Sequence, residues 1–164
     1  MNAIDYSKAP DCTGLDPVRW QLTMSAWMNE AHGFGLNPQQ WLLDNAREFP
    51  RGPLPKRVRR GVIRQCYHNA LELASRGRGR YVYMEGMAVG VIPVDHAWCY
   101  DRETGLVVDR TWERDHGQHY LGVPVRLAYV KKQLSRGHVV VNDWENDYPL
   151  VTGAVTPDVW REEL

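Results

Sequence analysis

The amino-acid sequence predicts an α+β domain in which one helix packs on a small antiparallel sheet, with additional helices at both the N- and C-terminal ends. Three observations lead there. Several stretches carry apolar residues three to four apart and open on helix-capping residues. Two strand-like runs flank 102-RETG-105, a polar segment with a glycine, and read as a hairpin. A chain of 164 residues can bury one core of ordinary size, so residues 16–164 form a single domain behind an N-terminal arm, 1–15.

The elements follow in order. Asp16-Pro17 reads as N-cap and first helical position, with Trp20, Met24, Trp27, Met28 and Ala31 as the core-facing side and Gly33 as the stop. Asn37-Pro38 repeats the signal and starts a second helix through Trp41, Leu42 and Ala46 to about Phe49. The proline-rich, basic segment 50-PRGPLPKRVRRG-61 is a loop. A third helix spans 65-QCYHNALELASR-76, with Cys66 in its first turn and Tyr67, Ala70, Leu71 and Ala74 as its apolar side. The run 81-YVYMEGMAVGVI-92 has strand composition and is too apolar for a wet face. Beyond the hairpin, Gly117 and Gly122-Val-Pro124 break the chain, and residues 125–135 are helical. A short strand, 138-HVVV-141, and a helix started by Thr156-Pro157 complete it.

The net formal charge is zero, so no global field draws the chain to nucleic acid or membrane. The charge is uneven, however. Residues 51–80 hold nine Lys/Arg against one acid, Glu72. No run of 18 apolar residues exists to cross a bilayer, and the N-terminus lacks the apolar stretch of a secretory signal. Three cysteines without CxxC spacing argue against a disulfide framework and for a reduced, cytoplasmic setting.

The hairpin carries the chemistry. If Asp101 pairs with Leu106, then His96, Trp98 and Tyr100 share a face with Val107, Asp109 and Thr111. His96 and Asp109 become diagonal neighbours with Cα atoms roughly 7–8 Å apart, which an imidazole and a carboxylate can bridge. An odd loop would put them on opposite faces. A histidine acting as general base needs its far nitrogen held by an acceptor, and Asp109 is placed for that. The missing nucleophile is a thiol at a helix start, where unpaired N–H groups and the helix dipole favour the thiolate. Cys66 fits. Cys99 lies mid-strand on the face away from His96, and Cys12 lies in the arm.

A cysteine heading a helix (CYHNA), then HAW, then a hairpin ending in VDRTW resembles the transglutaminase-like superfamily of papain-related thiol enzymes. That family's pattern runs Cys, HAW, DPTW in the same chain order. The resemblance covers about residues 60–113, and small single-domain members of this kind occur in bacteria and their phages. It implies a Cys-His-Asp triad carried by Cys66, His96 and Asp109, and a papain/transglutaminase-like core. The departure is Arg110, where the family has proline; alternation points its side chain away from the Asp109 face.

The function expected is cysteine-dependent acyl transfer on an amide through a thioester, with no cofactor and a peptide or protein as substrate. Water as acceptor makes the chain a cysteine protease-like hydrolase or deamidase; an amine makes it a transglutaminase. The oxyanion donors are the Cys66 N–H and, by adjacency, Gln65. Trp98 and Trp112 are candidates to wall a substrate cleft, with packing favoured for Trp112, which alternates to the other face. The rival is a catalytically silent binding protein on the same fold. Lys56, Arg57, Arg59 and Arg60 lie just before the nucleophile and form a basic rim for an acidic substrate. Few aromatics interleave with them, which ranks nucleic-acid binding third. His116 and His119 with Asp115 make an incomplete zinc set, better read as a surface loop.

Overall fold

A computed structural model describes residues 4–113, 117–161 and 163–164. It is an α+β arrangement of four helices and a five-stranded antiparallel sheet. Helix α1 (Pro17–Ala31) begins as the capping signal predicts: the Asp16 carboxylate accepts from the N–H groups of Val18 and Arg19 at 2.9 and 3.0 Å. Its buried stripe is Val18, Leu22 and Ala26, not the predicted line of Trp20, Met24, Trp27, Met28 and Ala31. Two helical stripes coexist on this segment, and period alone does not say which meets the core. The slimmer one does, because small aliphatic side chains let the helix come close. Trp20 and Met28 remain exposed.

Helix α2 (Pro38–Asn45) is capped by Asn37, which accepts from the Gln40 N–H at 3.1 Å. It ends earlier than its apolar spacing suggests. Arg47–Glu48 instead form strand β1, pairing with the later strand β5 (Tyr120–Pro124), and Phe49 turns into the core. Helix α3 (Cys66–Arg76) falls where expected, and Ala70, Leu73 and Ala74 are its buried apolar residues.

Strands β2 (Tyr81–Val89) and β3 (Pro93–Asp101) form the long central hairpin, paired from Tyr81 opposite Asp101 to Val89 opposite Pro93. Strand β4 (Leu106–Val108) adds only to the far end of β3, with Asp101 opposite Leu106, Tyr100 opposite Val107 and Cys99 opposite Val108. This is the register the even loop requires. The sheet order is β1-β5-β2-β3-β4.

Strand β5 runs through the stretch that Gly122 and Pro124 were expected to break. Gly122 is there for space, since a Cβ would lie 2.6 Å from both the Trp98 ring and the Glu85 carbonyl oxygen. The predicted strand at 138–141 is absent. Val140 and Val141 are buried, but both N–H groups donate to the Glu85 carboxylate at 2.7 Å rather than to a ladder. At the C-terminal end, Pro157–Val159 form a single 3-10 turn rather than a longer helix.

Two cores result. Tyr83, Ala97, Cys99, Leu121 and Val123 face the side covered by α1, α3 and α4 (Leu127–Leu134). Phe49, Met84, Trp98, Val107 and Tyr120 pack on the other. By strand alternation His96 belongs with the second group. Among the described residues no helix is long and apolar enough to cross a membrane.

Candidate active site

Cys66 is the first residue of α3, half-buried, with Gln65 in the N-cap position. Its backbone N–H belongs to the first turn, where no intrahelical acceptor exists. The loop leading into it is held by Asn69, one turn on. The Asn69 amide accepts from the Val62 N–H at 3.0 Å and donates to the Val62 carbonyl at 2.7 Å. It also donates to Thr111 Oγ1 at 2.9 Å, joining the helix start to the turn after β4. Gly61 passes directly over Asn69, and its N–H donates to the Arg110 carbonyl at 2.9 Å.

His96 and Asp109 meet as the register requires. The His96 Nε2–H donates to Asp109 Oδ2 across 2.9 Å, both side chains being buried. The Cys66 side chain lies near enough to act on the same ring, helping Asp109 to favour its charged form, so thiol, imidazole and carboxylate are neighbours. Asp109 is further anchored by the Tyr120 hydroxyl, which donates to Oδ2 at 2.9 Å. The N–H groups of Thr111 and Trp112 donate to Oδ1 at 2.7 and 3.3 Å.

Electrostatics follow from that arrangement. Burial by itself opposes a charge on His96, but Asp109 and then Cys66 outweigh it and lift the imidazole to about 9. Burial likewise opposes ionisation of Asp109, yet His96, the Thr111 N–H and Tyr120 together hold its carboxyl below the usual range. The site therefore favours an imidazolium resting on a carboxylate, with the Cys66 thiol beside it.

Cys99 is elsewhere. It is buried on the helical face, its thiol donates to the Ala70 carbonyl at 3.3 Å, and burial pushes the thiol far above its usual range. Gln65 is exposed, and its N–H is turned to the Val62 carbonyl at 3.3 Å. What it can offer an oxyanion is its side-chain amide, which caps nothing in α3.

Neither Trp98 nor Trp112 sits as expected. Trp98, predicted as a cleft wall, is only 1% exposed and packs edge-on to Tyr120 with ring centres 5.1 Å apart. Trp112, predicted to face away, stacks on His96 at 3.9 Å with the planes 13° apart. The reason is that β4 stops at Val108, so alternation no longer applies at residue 112.

The basic rim is partly committed to structure. Of its four members Arg60 donates to the Trp112 carbonyl; Arg51, before the rim, donates to the carbonyls of Trp112, Glu113 and Gly117. The Arg59 carbonyl accepts from Arg110 at 2.7 Å, while the side chains of Lys56, Arg57 and Arg59 are exposed. Of the zinc reading, Asp115 and His116 lie outside the described residues, and His119 pairs with Glu48 at 3.1 Å. Among the described residues no three His, Cys, Asp or Glu side chains gather to hold a metal.

Sequence reasoning missed Tyr120, because β5 was not recognised, and Asn69. For Asn69 a signal existed: an amide three residues after the cysteine, on the apolar side of its helix. No family model, curated protein or solved structure matches this chain.

Proposed function

We propose that the chain is a thiol acyltransferase that cleaves amides through a thioester. The observation that carries this reading is the buried His96 imidazole, held 2.9 Å from the Asp109 carboxylate and neighbouring the Cys66 thiol at the head of α3. Cys66 Sγ attacks the amide carbonyl carbon, and the carbonyl oxygen takes up the electron pair. The Cys66 N–H, with the Gln65 amide as second donor, receives that oxyanion. On collapse the C–N bond breaks, and His96 gives its proton to the leaving nitrogen, which departs as ammonia or an amine. His96, now neutral, takes a proton from the incoming acceptor, which attacks the thioester and regenerates the thiolate. Water as acceptor yields a carboxylic acid; an amine yields a new amide.

Asp109 does not accept the proton in this scheme. Its part is to fix the ring's orientation and stabilise the imidazolium. An imidazole near 9 is protonated at neutral pH, which suits the acid step.

The test is the rate of iodoacetamide labelling of Cys66 below pH 7, read by mass spectrometry on wild type and His96→Ala. Fast labelling that falls at least about tenfold in the variant supports an imidazolium-activated thiolate. Equal rates in both would instead favour a non-catalytic binding protein on the same fold.

A further inference from the structure

Away from the triad, the two basic runs of the sequence, 56-KRVRR-60 and 76-RGRGR-80, meet. Arginines from both line one cavity of about 540 Å³, set between the loop before Cys66, the C-terminal end of α3 and the start of β2. Its walls carry five arginines, Arg57, Arg59, Arg76, Arg80 and Arg110, and no acid. Val58, Leu73 and Tyr81 supply the apolar part of the lining. Leu73 and Gly77 lie about two and three helical turns beyond Cys66, or roughly 10–17 Å, so the cavity is separate from the thiol.

Three of the five guanidiniums are already matched. Arg80 pairs with Asp101 at 2.6 Å and Glu103 at 2.5 Å, and Arg76 and Arg110 share Glu72 at 2.7 and 2.6 Å. Arg57 and Arg59 are exposed, and their side chains have no partner among the described residues. Five positive charges thus face three carboxylates, which leaves two unmatched. The C-terminal end of a helix attracts cations, but Arg76 in the last turn of α3 already meets that need.

The backbone carrying the unmatched pair is held in place. Val58, between them, packs against the helical core, and its N–H donates to the Pro55 carbonyl at 2.8 Å. The Arg59 carbonyl accepts from Arg110 at 2.7 Å, and the Gly61 N–H donates to the Arg110 carbonyl at 2.9 Å. Two guanidiniums fixed two residues apart with no acid between them repel each other and gain nothing for folding. Their planar forks match the oxygens of a phosphate.

We propose that this cavity binds a phosphorylated small molecule, a phosphate monoester on an aromatic body such as a nucleoside monophosphate. The phosphate lies on Arg57 and Arg59, and the ring system lies against Val58, Leu73 and Tyr81. A monoester carries a charge of about −1.5 to −2 at neutral pH, which answers the two unmatched guanidiniums. Tyr81 adds an aromatic surface, and guanidinium planes stack on flat rings. The volume is that of a small-ligand site. Few aromatics interleave with these arginines, as a single-stranded nucleic acid would need. The site stands whether or not Cys66 is a nucleophile.

The test is calorimetric titration of the full chain with adenosine monophosphate, adenosine, inorganic phosphate and a single-stranded oligonucleotide. Adenosine monophosphate is expected to bind about tenfold or more tighter than either adenosine or inorganic phosphate. Arg57→Glu combined with Arg59→Glu, on side chains that hold nothing in the fold, is expected to weaken that binding about tenfold or more. The melting temperature of the unliganded variant should match wild type. No binding of adenosine monophosphate at millimolar concentration would overturn the proposal, as would binding that survives the double substitution. Inorganic phosphate binding as tightly as the nucleotide would overturn the ligand class. An oligonucleotide that binds where the mononucleotide does not would overturn the small-molecule site in favour of nucleic acid.

Discussion

Arg110 reaches from the turn after β4 back to Glu72 on α3, its Nη1 lying 2.6 Å from Oε2, and so ties the Asp109 turn to the helix that bears Cys66. The same guanidinium donates to the carbonyls of Arg59 and Asn69 at 2.7 and 3.3 Å. One side chain, only 12% exposed, thus clamps the turn carrying Asp109 to both the helix and the loop that precedes it.

Glu72 is substantially solvent-exposed and also pairs with Arg76 at 2.7 Å, so its ion pair with Arg110 is worth at most about 1 kcal/mol. The carbonyl contacts should matter more. Arg110→Ala is expected to lower stability by about 1–3 kcal/mol, and Glu72→Ala by less than about 1 kcal/mol. Urea unfolding of the two variants checks the order. Equal losses would assign the clamp to the ion pair.

Tyr120→Phe removes one donor from Asp109 while keeping the ring that packs against Trp98. The carboxylate then holds its charge less firmly and supports the imidazolium less. The His96 pKa, followed by NMR of the ring protons, is expected to fall from about 9, with slower Cys66 labelling alongside. An unchanged titration would reduce Tyr120 to a packing residue.

Two buried groups predict a stability that declines with pH. Burial raises the Glu85 carboxyl to about 7, against the N–H bonds from Val141 and Val140 and the Tyr83 hydroxyl. His96 is raised to about 9 by Asp109 and Cys66 against burial. In both the folded state binds its proton more tightly than the unfolded chain, so the stability is complete below the unfolded value and is lost as pH rises through the folded one. The windows run from 4.5 to about 7 for Glu85 and from 6.5 to about 9 for His96. Melting temperatures across pH 4.5–9.5 should fall in two steps. Glu85→Gln should erase the lower step and His96→Ala the upper one.

Gly122→Ala pushes a methyl to within 2.6 Å of the Trp98 ring and of the Glu85 carbonyl on the neighbouring strand. Neither can retreat, since one is buried core and the other is ladder backbone. A loss of about 2–3 kcal/mol in unfolding free energy is expected. A near-neutral result would show that β5 can shift outward.

Much of this architecture is local chemistry and could be read residue by residue. Asp16, Asn37 and Gly33 set helix ends through bonds made within a few residues of themselves. The even loop at 102–105 sets the register of Leu106–Val108 on β3, and Asp109, the next residue, continues towards His96. The site's polar pair thus begins in short-range pattern and is completed by the Tyr120 hydroxyl from a distant strand.

Other features depend on distant partners that no local pattern carries. Gly122 and Pro124 look like breakers until the Trp98 ring is seen to need the missing Cβ, so β5 and its Tyr120 were invisible. Both stripes of α1 have helical period, and only the sheet beneath decided for Val18, Leu22 and Ala26. Trp112 left its expected face because β4 ends at Val108, releasing the chain to fold its indole over His96. Val140 and Val141 have strand composition, yet a buried carboxylate on another element claimed their N–H groups. By itself the sequence determined caps, register and which residue types could meet. Tertiary structure decided which apolar surface is covered and which polar groups are satisfied, because those free energies belong to pairs of residues far apart in the chain.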